Sequence, residues 1–337
     1  MKNILLILTG GTICSFSNEK GEQTADVKRA KALIVQNFRN SNSEWKSKRA
    51  VRFTVRQPLN ILSENMTVAH WNTLINRLKS YNLEKFDGAI ILHGTDTLHL
   101  TAPLLSLLLA GINRPVFLVS SNLPLYNPAA NGNDNFRVAV EHIAKGIAPN
   151  IYVPYKNADK MYIHFAAHLT SCPNHSDDFY SDNMHSLGDG EFFGGLASPD
   201  TAPLLYTCPK LQNFVLRITP YTGIDYSRYN LRGVRAVLHH TYHSETLSVN
   251  GDGKASVLSL KKRCDKAGAE LYIEPCNPDK TYLYETTGAL ISKGVGTSYR
   301  TTSEMAYVKL LIGCAMGLSG SALQDFINLE INGEFLR

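Results

Sequence analysis

The chain reads as an α/β protein, with a large amino-terminal domain whose mainly parallel sheet is flanked by helices, and a smaller carboxyl-terminal α/β domain. Three observations predict this. The apolar runs at residues 4–8 and 88–92 lack the alternation of a half-exposed strand and read as strands covered on both faces. Between residues 88 and 120, strand, helix and strand follow one another at the spacing of a parallel crossover. Polar stretches at 9–12, 93–97 and 120–122 close these strands, at the edge where parallel sheets hold their ligands.

The elements follow in order. Leu5 to Leu8 is a buried strand that ends in Thr9-Gly10-Gly11-Thr12, a tight turn presenting the Thr12 hydroxyl. Residues 15–26 are polar and predict a loop over the strand end. Lys28 to Phe38 has helical spacing, Val51 to Val55 alternates as a strand, and Thr67 N-caps a helix carrying Trp71, Leu74, Ile75 and Leu78. The strand 88–92 closes in His93-Gly94-Thr95-Asp96-Thr97, followed by a helix over 98–109 and a strand over 116–120. A helix over 136–147 and a strand over 151–155 come next, then irregular chain over 157–198 that reads as loops with short extended pieces. Residues 199–213 read as a linker between domains 1–198 and 214–337, the second with strands at 215–218, 234–238 and 270–273 and helices at 255–267 and 303–315.

Composition narrows the function classes. A 337-residue chain with 44% hydrophobic and 19% charged residues can bury two cores. Its net charge of +5 is not gathered into any basic run and gives no argument for nucleic acid or membrane surfaces, and neither is expected as a partner. No stretch reaches the roughly 18 apolar residues of a membrane helix, and the apolar start runs into Thr-Gly-Gly without a signal-peptide cleavage site. Cysteines 14, 172, 208, 264, 276 and 314 form no CxxC pair and read as reduced thiols, so a cytoplasmic location is expected.

Two turns carry chemistry. Thr12 is a candidate nucleophile, although a glycine-rich turn after the first strand is also an ordinary α/β feature, and a threonine hydroxyl needs a group to take its proton. In 93–97 two hydroxyls and a carboxylate sit within three residues, able to hold an ammonium and polarise a carbonyl, or simply to cap the following helix. Thr-Gly-Gly-Thr is not the Gly-x-Gly-x-x-Gly of a dinucleotide fold. His239, His240, His243 and Glu245 raise a zinc reading, but the strand-like context denies His240 and His243 a common helix face, and no metal site is expected.

Thr9-Gly10-Gly11-Thr12-Ile13, with Ile91-Leu92-His93-Gly94-Thr95-Asp96-Thr97 about eighty residues later, resembles the paired signatures of the bacterial-type L-asparaginase and glutaminase-asparaginase family. The resemblance extends through 63–67, 115–124 and 305–336, is thin between 155 and 210, and is closer to the cytoplasmic type I branch. It implies a side-chain amidohydrolase forming L-aspartate and ammonia from L-asparagine or a related amide, without metal or organic cofactor, as a homodimer or homotetramer. By the same resemblance Thr12 is the nucleophile, Thr95 the second catalytic threonine and Asp96 the holder of the substrate α-ammonium, while Ser63, with Glu64 beside it, holds the α-carboxylate.

The chain also departs from that family. Glu22 stands where the family has a loop tyrosine, and a carboxylate can serve as the substitute base. No lysine falls in register over 157–171, leaving Lys160, His164 and His168 as candidates for its role. The family's Tyr-Gly-x-Gly-Asn stretch is replaced by residues 240–246. A second reading therefore stands beside the first, a catalytically impaired relative that binds an amino acid or amide as a regulatory module.

Overall fold

A computed structural model describes residues 1–18, 20–173, 175–181, 185–186, 203–250 and 253–336. Contacts divide the chain into two units, Met1–Thr207 with Ile331–Gly333, and Cys208–Glu330 with Glu334–Arg337.

In the first unit, β1 (Lys2–Leu8) leads into a short 3-10 turn at Thr12–Cys14. The following segment, expected as a loop, is a hairpin of β2 (Ser15–Ser17) and β3 (Gln23–Ala25). Its turn closes because Asn18 N–H donates to Glu22 O and Gly21 N–H to Asn18 O, so the polar composition marks a two-stranded ribbon with little to bury. Helix α1 (Val27–Asn40) is N-capped by Asp26, whose carboxylate accepts from Arg29 N–H at 3.0 Å. Then come β4 (Val51–Arg56), α2 (Val68–Ser80) capped by Thr67, β5 (Gly88–Leu92), α3 (Leu98–Leu108), β6 (Val116–Val119), α4 (Gly132–Lys145) and β7 (Ile151–Asn157).

Within 157–198, expected as irregular chain, Lys160–Phe165 is a full strand, β8, paired antiparallel to β7. β9 (His185–Ser186) follows, and the rest of 182–198, with 199–202 of the expected linker, lies outside the described residues. The remaining linker contains α5 (Leu204–Thr207). Sheet order is β4-β1-β5-β6-β7-β8-β9, parallel through β7 and antiparallel beyond. The apolar side chains of β1, β5 and β6 are all buried, packed against α1 and α4 on one face, as the continuous runs predict.

The second unit is a four-stranded parallel sheet in the order β10 (Val215–Ile218), β11 (Ala236–His240), β12 (Glu270–Glu274), β13 (Gly296–Thr297). Its helices are α6 (Val257–Ala267), α7 (Glu285–Ser292), α8 (Ser303–Ala315) and α9 (Gly320–Ile327), with α6 packed on one face and α8 and α9 on the other. Lys309 of α8 and Glu334 are both fully buried and form an ion pair at 2.5 Å, while the Lys309 ammonium also donates to Ile327 O at 3.1 Å. Among the described residues, no helix is long and apolar enough to cross a membrane.

Candidate active site at the carboxyl edge of the large sheet

Adjacent parallel strands β1 and β5 end in register, Leu8 opposite Leu92, so the turns that follow them leave the sheet side by side. Thr9 fixes the pair: its N–H and its hydroxyl both donate to Leu92 O, at 3.1 and 2.8 Å. Beyond Thr9 the turns touch. A Cβ on Gly11, which has φ +81°, would lie 2.1 Å from Gly94 Cα, and one on Gly94 would lie 2.4 Å from Ser63 Oγ. Only glycine permits that approach.

The third segment is tied in by backbone. Ile61 N–H donates to Thr9 O at 3.1 Å and Gly11 N–H to Ile61 O at 2.7 Å, which delivers the 3-10 turn Ser63–Asn65 to the 93–97 stretch. Ser63, 3% exposed, donates its hydroxyl to Asp96 Oδ2 at 2.6 Å and accepts from Asp96 N–H at 3.2 Å. Thr97 Oγ1 donates to Ser63 O at 3.0 Å. Ser63, Thr95 and Asp96 thus meet beside the turn that carries Thr12, with the Asp96 carboxylate oriented before any ligand arrives. Thr12 and Thr95 are half-buried, and Glu64 and Asp96 are exposed. His93 under this floor is fully buried. Its Nδ1–H donates to Gly94 O at 2.8 Å, and desolvation lowers its pKa to about 4, so it is neutral at pH 7.

Glu22 is exposed at the hairpin turn, its carboxylate accepting from Asn18 Nδ2 at 2.9 Å. Tyr126 reaches the hairpin from outside. Its hydroxyl lies 2.9 Å from Ser17 Oγ and accepts from Gln23 Nε2 at 3.1 Å, its ring packs 5.8 Å from that of Phe16, and the hydrogen bonds lower its pKa.

A cavity of about 360 Å³ opens on the Thr95 and Asp96 side, walled by His99, Asn122, Tyr155 and residues from the stretches 171–173 and 175–179. Asn157 holds the latter stretch in place, its amide donating to Phe179 O at 2.7 Å and accepting from Phe179 N–H at 3.0 Å, while the Phe179 ring meets the edge of Tyr155 at 4.8 Å. None of the three candidates for the lysine's role is on its wall. Lys160 is exposed over the Tyr162 ring, His164 is buried against Ser181 at 2.8 Å, and His168 donates to Gly333 O at 2.8 Å. The imidazoles present are His99, on the first turn of α3 four residues after Thr95, and His175. Both were missed in the sequence. His99 carries a readable signal, since the helix that starts after 93–97 returns its side chain toward that turn; His175 carries none.

In the second unit, the histidine cluster at the end of β11 takes other partners. His239 Nδ1–H donates to His240 O at 2.6 Å and its Nε2 accepts from Tyr226 OH at 2.8 Å. His240 pairs with buried Glu274 at 2.7 Å, and Glu245 with Lys280. Among the described residues, no three His, Cys, Asp or Glu side chains are grouped to hold a metal ion.

Comparison with known proteins agrees with this arrangement. The amino-terminal asparaginase domain family matches residues 3–191, which takes in both turns, Ser63 and the cavity wall. L-asparaginase 1 of Escherichia coli (strain K12) is 24% identical over 362 aligned positions covering 99% of this chain and 98% of that protein. In fold, the thermostable L-asparaginase of Thermococcus kodakarensis superposes with a TM-score of 0.78 at 20% identity, covering 99% of each chain. L-asparaginase I of Vibrio cholerae gives 0.75 at 22% identity, again over 99% of each. With more than half of its length matched by the family and its two signature turns in backbone contact at one sheet edge, the chain belongs to the asparaginase family.

Proposed function

We propose that the chain is an L-asparaginase-like amidohydrolase that hydrolyses L-asparagine, or a closely related side-chain amide, to the acid and ammonia. The observation that supports this best is the meeting of three distant segments, Gly11 against Gly94 and Ser63 against Asp96, which puts a nucleophile-bearing turn beside an oriented carboxylate. Asp96 holds the substrate α-ammonium and Ser63 the α-carboxylate, with Glu64 at the rim. Thr12 Oγ attacks the side-chain carbonyl as its proton is removed, backbone N–H groups of the two turns stabilise the oxyanion, and the C–N bond breaks as the nitrogen gains a proton and leaves as ammonia. Water then attacks the Thr12 ester from the Thr95 side, and the acid leaves as the Thr12 hydroxyl is restored.

Glu22 and Tyr126, both held on the hairpin that follows Thr12, are the candidates to assist the proton transfer. Six free thiols support a reducing, cytoplasmic location, and a homodimer or homotetramer is carried over as what the resemblance implies. A second reading, ligand binding without turnover, is favoured by one observation: among the described residues no lysine lines the cavity at Thr95 and Asp96. Ammonia release from L-asparagine and L-glutamine separates the two. Turnover of either supports the hydrolase, and thermal stabilisation by L-asparagine or L-aspartate without ammonia release supports the binding module.

A further inference from the structure

The half-reaction that frees the acid needs a base. Water attacking the Thr12 ester must lose a proton as its O–C bond forms, and a group whose pKa lies near the working pH carries that proton best. Among the described residues, the titratable groups on the cavity wall beside Thr95 are Asp96, His99, Tyr155, Cys172, His175 and Asp177. Asp96 accepts the Ser63 hydroxyl at 2.6 Å and is committed to the substrate ammonium. Tyr155 is 1% exposed and bonded to Asn131, and burial raises its pKa. Cys172 donates its thiol to Asp178 O at 2.8 Å, and burial pushes its pKa up to about 11, so it stays a thiol at pH 7. Asp177 is exposed, and a solvated carboxylate is a weak base at pH 7. His175 is exposed too, in a turn outside any helix or strand.

His99 differs in how it is held. It is half-buried on the first turn of α3, and that helix starts from the site itself: Leu98 N–H donates to Thr95 O at 3.2 Å and Thr101 N–H to Thr97 O at 3.0 Å. Side chains lean toward the amino terminus of their helix, so the imidazole leans toward the turn that carries Thr95, and both residues line one cavity. An imidazole, whose ordinary pKa is about 6.5, is matched to proton transfer at neutral pH.

The same wall supplies a fixed donor for a water. Asn122, three residues beyond β6, is locked by a reciprocal pair of bonds, its N–H donating to Asn131 Oδ1 and its own Oδ1 accepting from Asn131 N–H, both at 3.0 Å. Its oxygen is thereby committed, while its Nδ2 has no partner among the described residues. A water in this cavity can accept from Asn122 and donate to His99.

We propose that His99 is the general base of the second half-reaction, taking the proton of the water that cleaves the Thr12 ester. The inference rests on the amidohydrolase reading. As the water oxygen bonds to the acyl carbon, one of its protons passes to the neutral imidazole. The tetrahedral intermediate then breaks its bond to Thr12 Oγ, a proton returns from the imidazolium to that oxygen, and the acid leaves. His99 ends the cycle as it began it.

The test is rapid-quench ammonia release from L-asparagine by the wild type, H99A, H99Q and H175A. With His99 changed, acylation proceeds and deacylation stalls. H99A and H99Q should each release a burst of about one equivalent of ammonia and then settle to a steady rate about 100-fold or more below the wild type. The peptide carrying Thr12 should then bear an aspartyl ester, and about 50 mM imidazole should raise the steady rate of H99A about tenfold. H175A should behave as the wild type. H99A and H99Q rates within about twofold of the wild type, a slow rate without a burst, or a burst in H175A instead, overturns the assignment alone. A wild type that releases no ammonia overturns the amidohydrolase reading, and the assignment with it.

Discussion

Gly11 and Gly94, eighty-three positions apart, are in backbone contact, so close that a Cβ on Gly11 would sit 2.1 Å from Gly94 Cα and 2.3 Å from its nitrogen. This contact makes one site of two turns, and it explains why each turn carries glycine immediately before the threonine proposed for the chemistry.

Gly11→Ala therefore meets backbone that cannot yield, on top of the cost of a side chain at φ +81°. It is expected to lose about 3 kcal/mol or more of stability in urea unfolding and to abolish activity. Gly21→Ala, at φ +79° with nothing within 4 Å, is the control and should lose only about 1 kcal/mol. Equal losses at the two positions would show that the contact is unimportant.

Asp96→Ala and Ser63→Ala separate binding from chemistry. Removing Asp96 leaves the substrate ammonium without its counter-charge and should raise KM for L-asparagine about 100-fold, with a smaller change in kcat. Ser63→Ala removes the hydroxyl that orients Asp96 at 2.6 Å and should raise KM about 10-fold. Steady-state kinetics read both, and an unchanged KM in Asp96→Ala would remove that residue from the binding role.

Stability should fall on mild acidification. Burial lowers the pKa of His93, His164 and His239 to about 4 in the folded chain. In the unfolded chain they titrate near the ordinary value of about 6.5. Below that pH the unfolded state takes up protons the folded state refuses, so stability is intact above about pH 6.5 and is lost progressively toward pH 4, by about 2 kcal/mol per histidine at pH 5. Urea midpoints at pH 7.5 and pH 5 should show the loss, and His164→Gln should lessen it. A midpoint constant over that range contradicts the assignment.

Lys309→Met should cost about 3–5 kcal/mol because it removes the ammonium paired with the fully buried Glu334 carboxylate, and Lys309→Met/Glu334→Leu should recover much of that. Chemical unfolding of the two variants measures the difference. A double variant less stable than the single one would show that the pair itself is worth more than an apolar replacement.

The elements legible in the sequence were those whose local pattern agrees with their surroundings. The run 88–92 is β5 to the residue, and 303–315 is α8 to the residue. β8 was missed because its hairpin turns at Ala158, with φ +45°, and Asp159, without the Asn-Gly or Gly that advertises such a turn. Helix α4 begins four residues before the expected start, since Gly132 reads as loop while its N–H is in fact bound by Ser121 Oγ at 3.1 Å. At the site, both turns and Ser63 were readable as motifs. The far wall was not, because the stretch carrying His175 and Asp177 is held at the cavity by Asn157 bonding Phe179, a tertiary contact with no sequence period.

Ammonia release by Thr12→Ala beside the wild type, on whichever amide the wild type turns over fastest, tests the nucleophile most directly. The account predicts a fall in kcat of about 1,000-fold or more with the urea midpoint unchanged. A Thr12→Ala protein that turns over at or near the wild-type rate would contradict it.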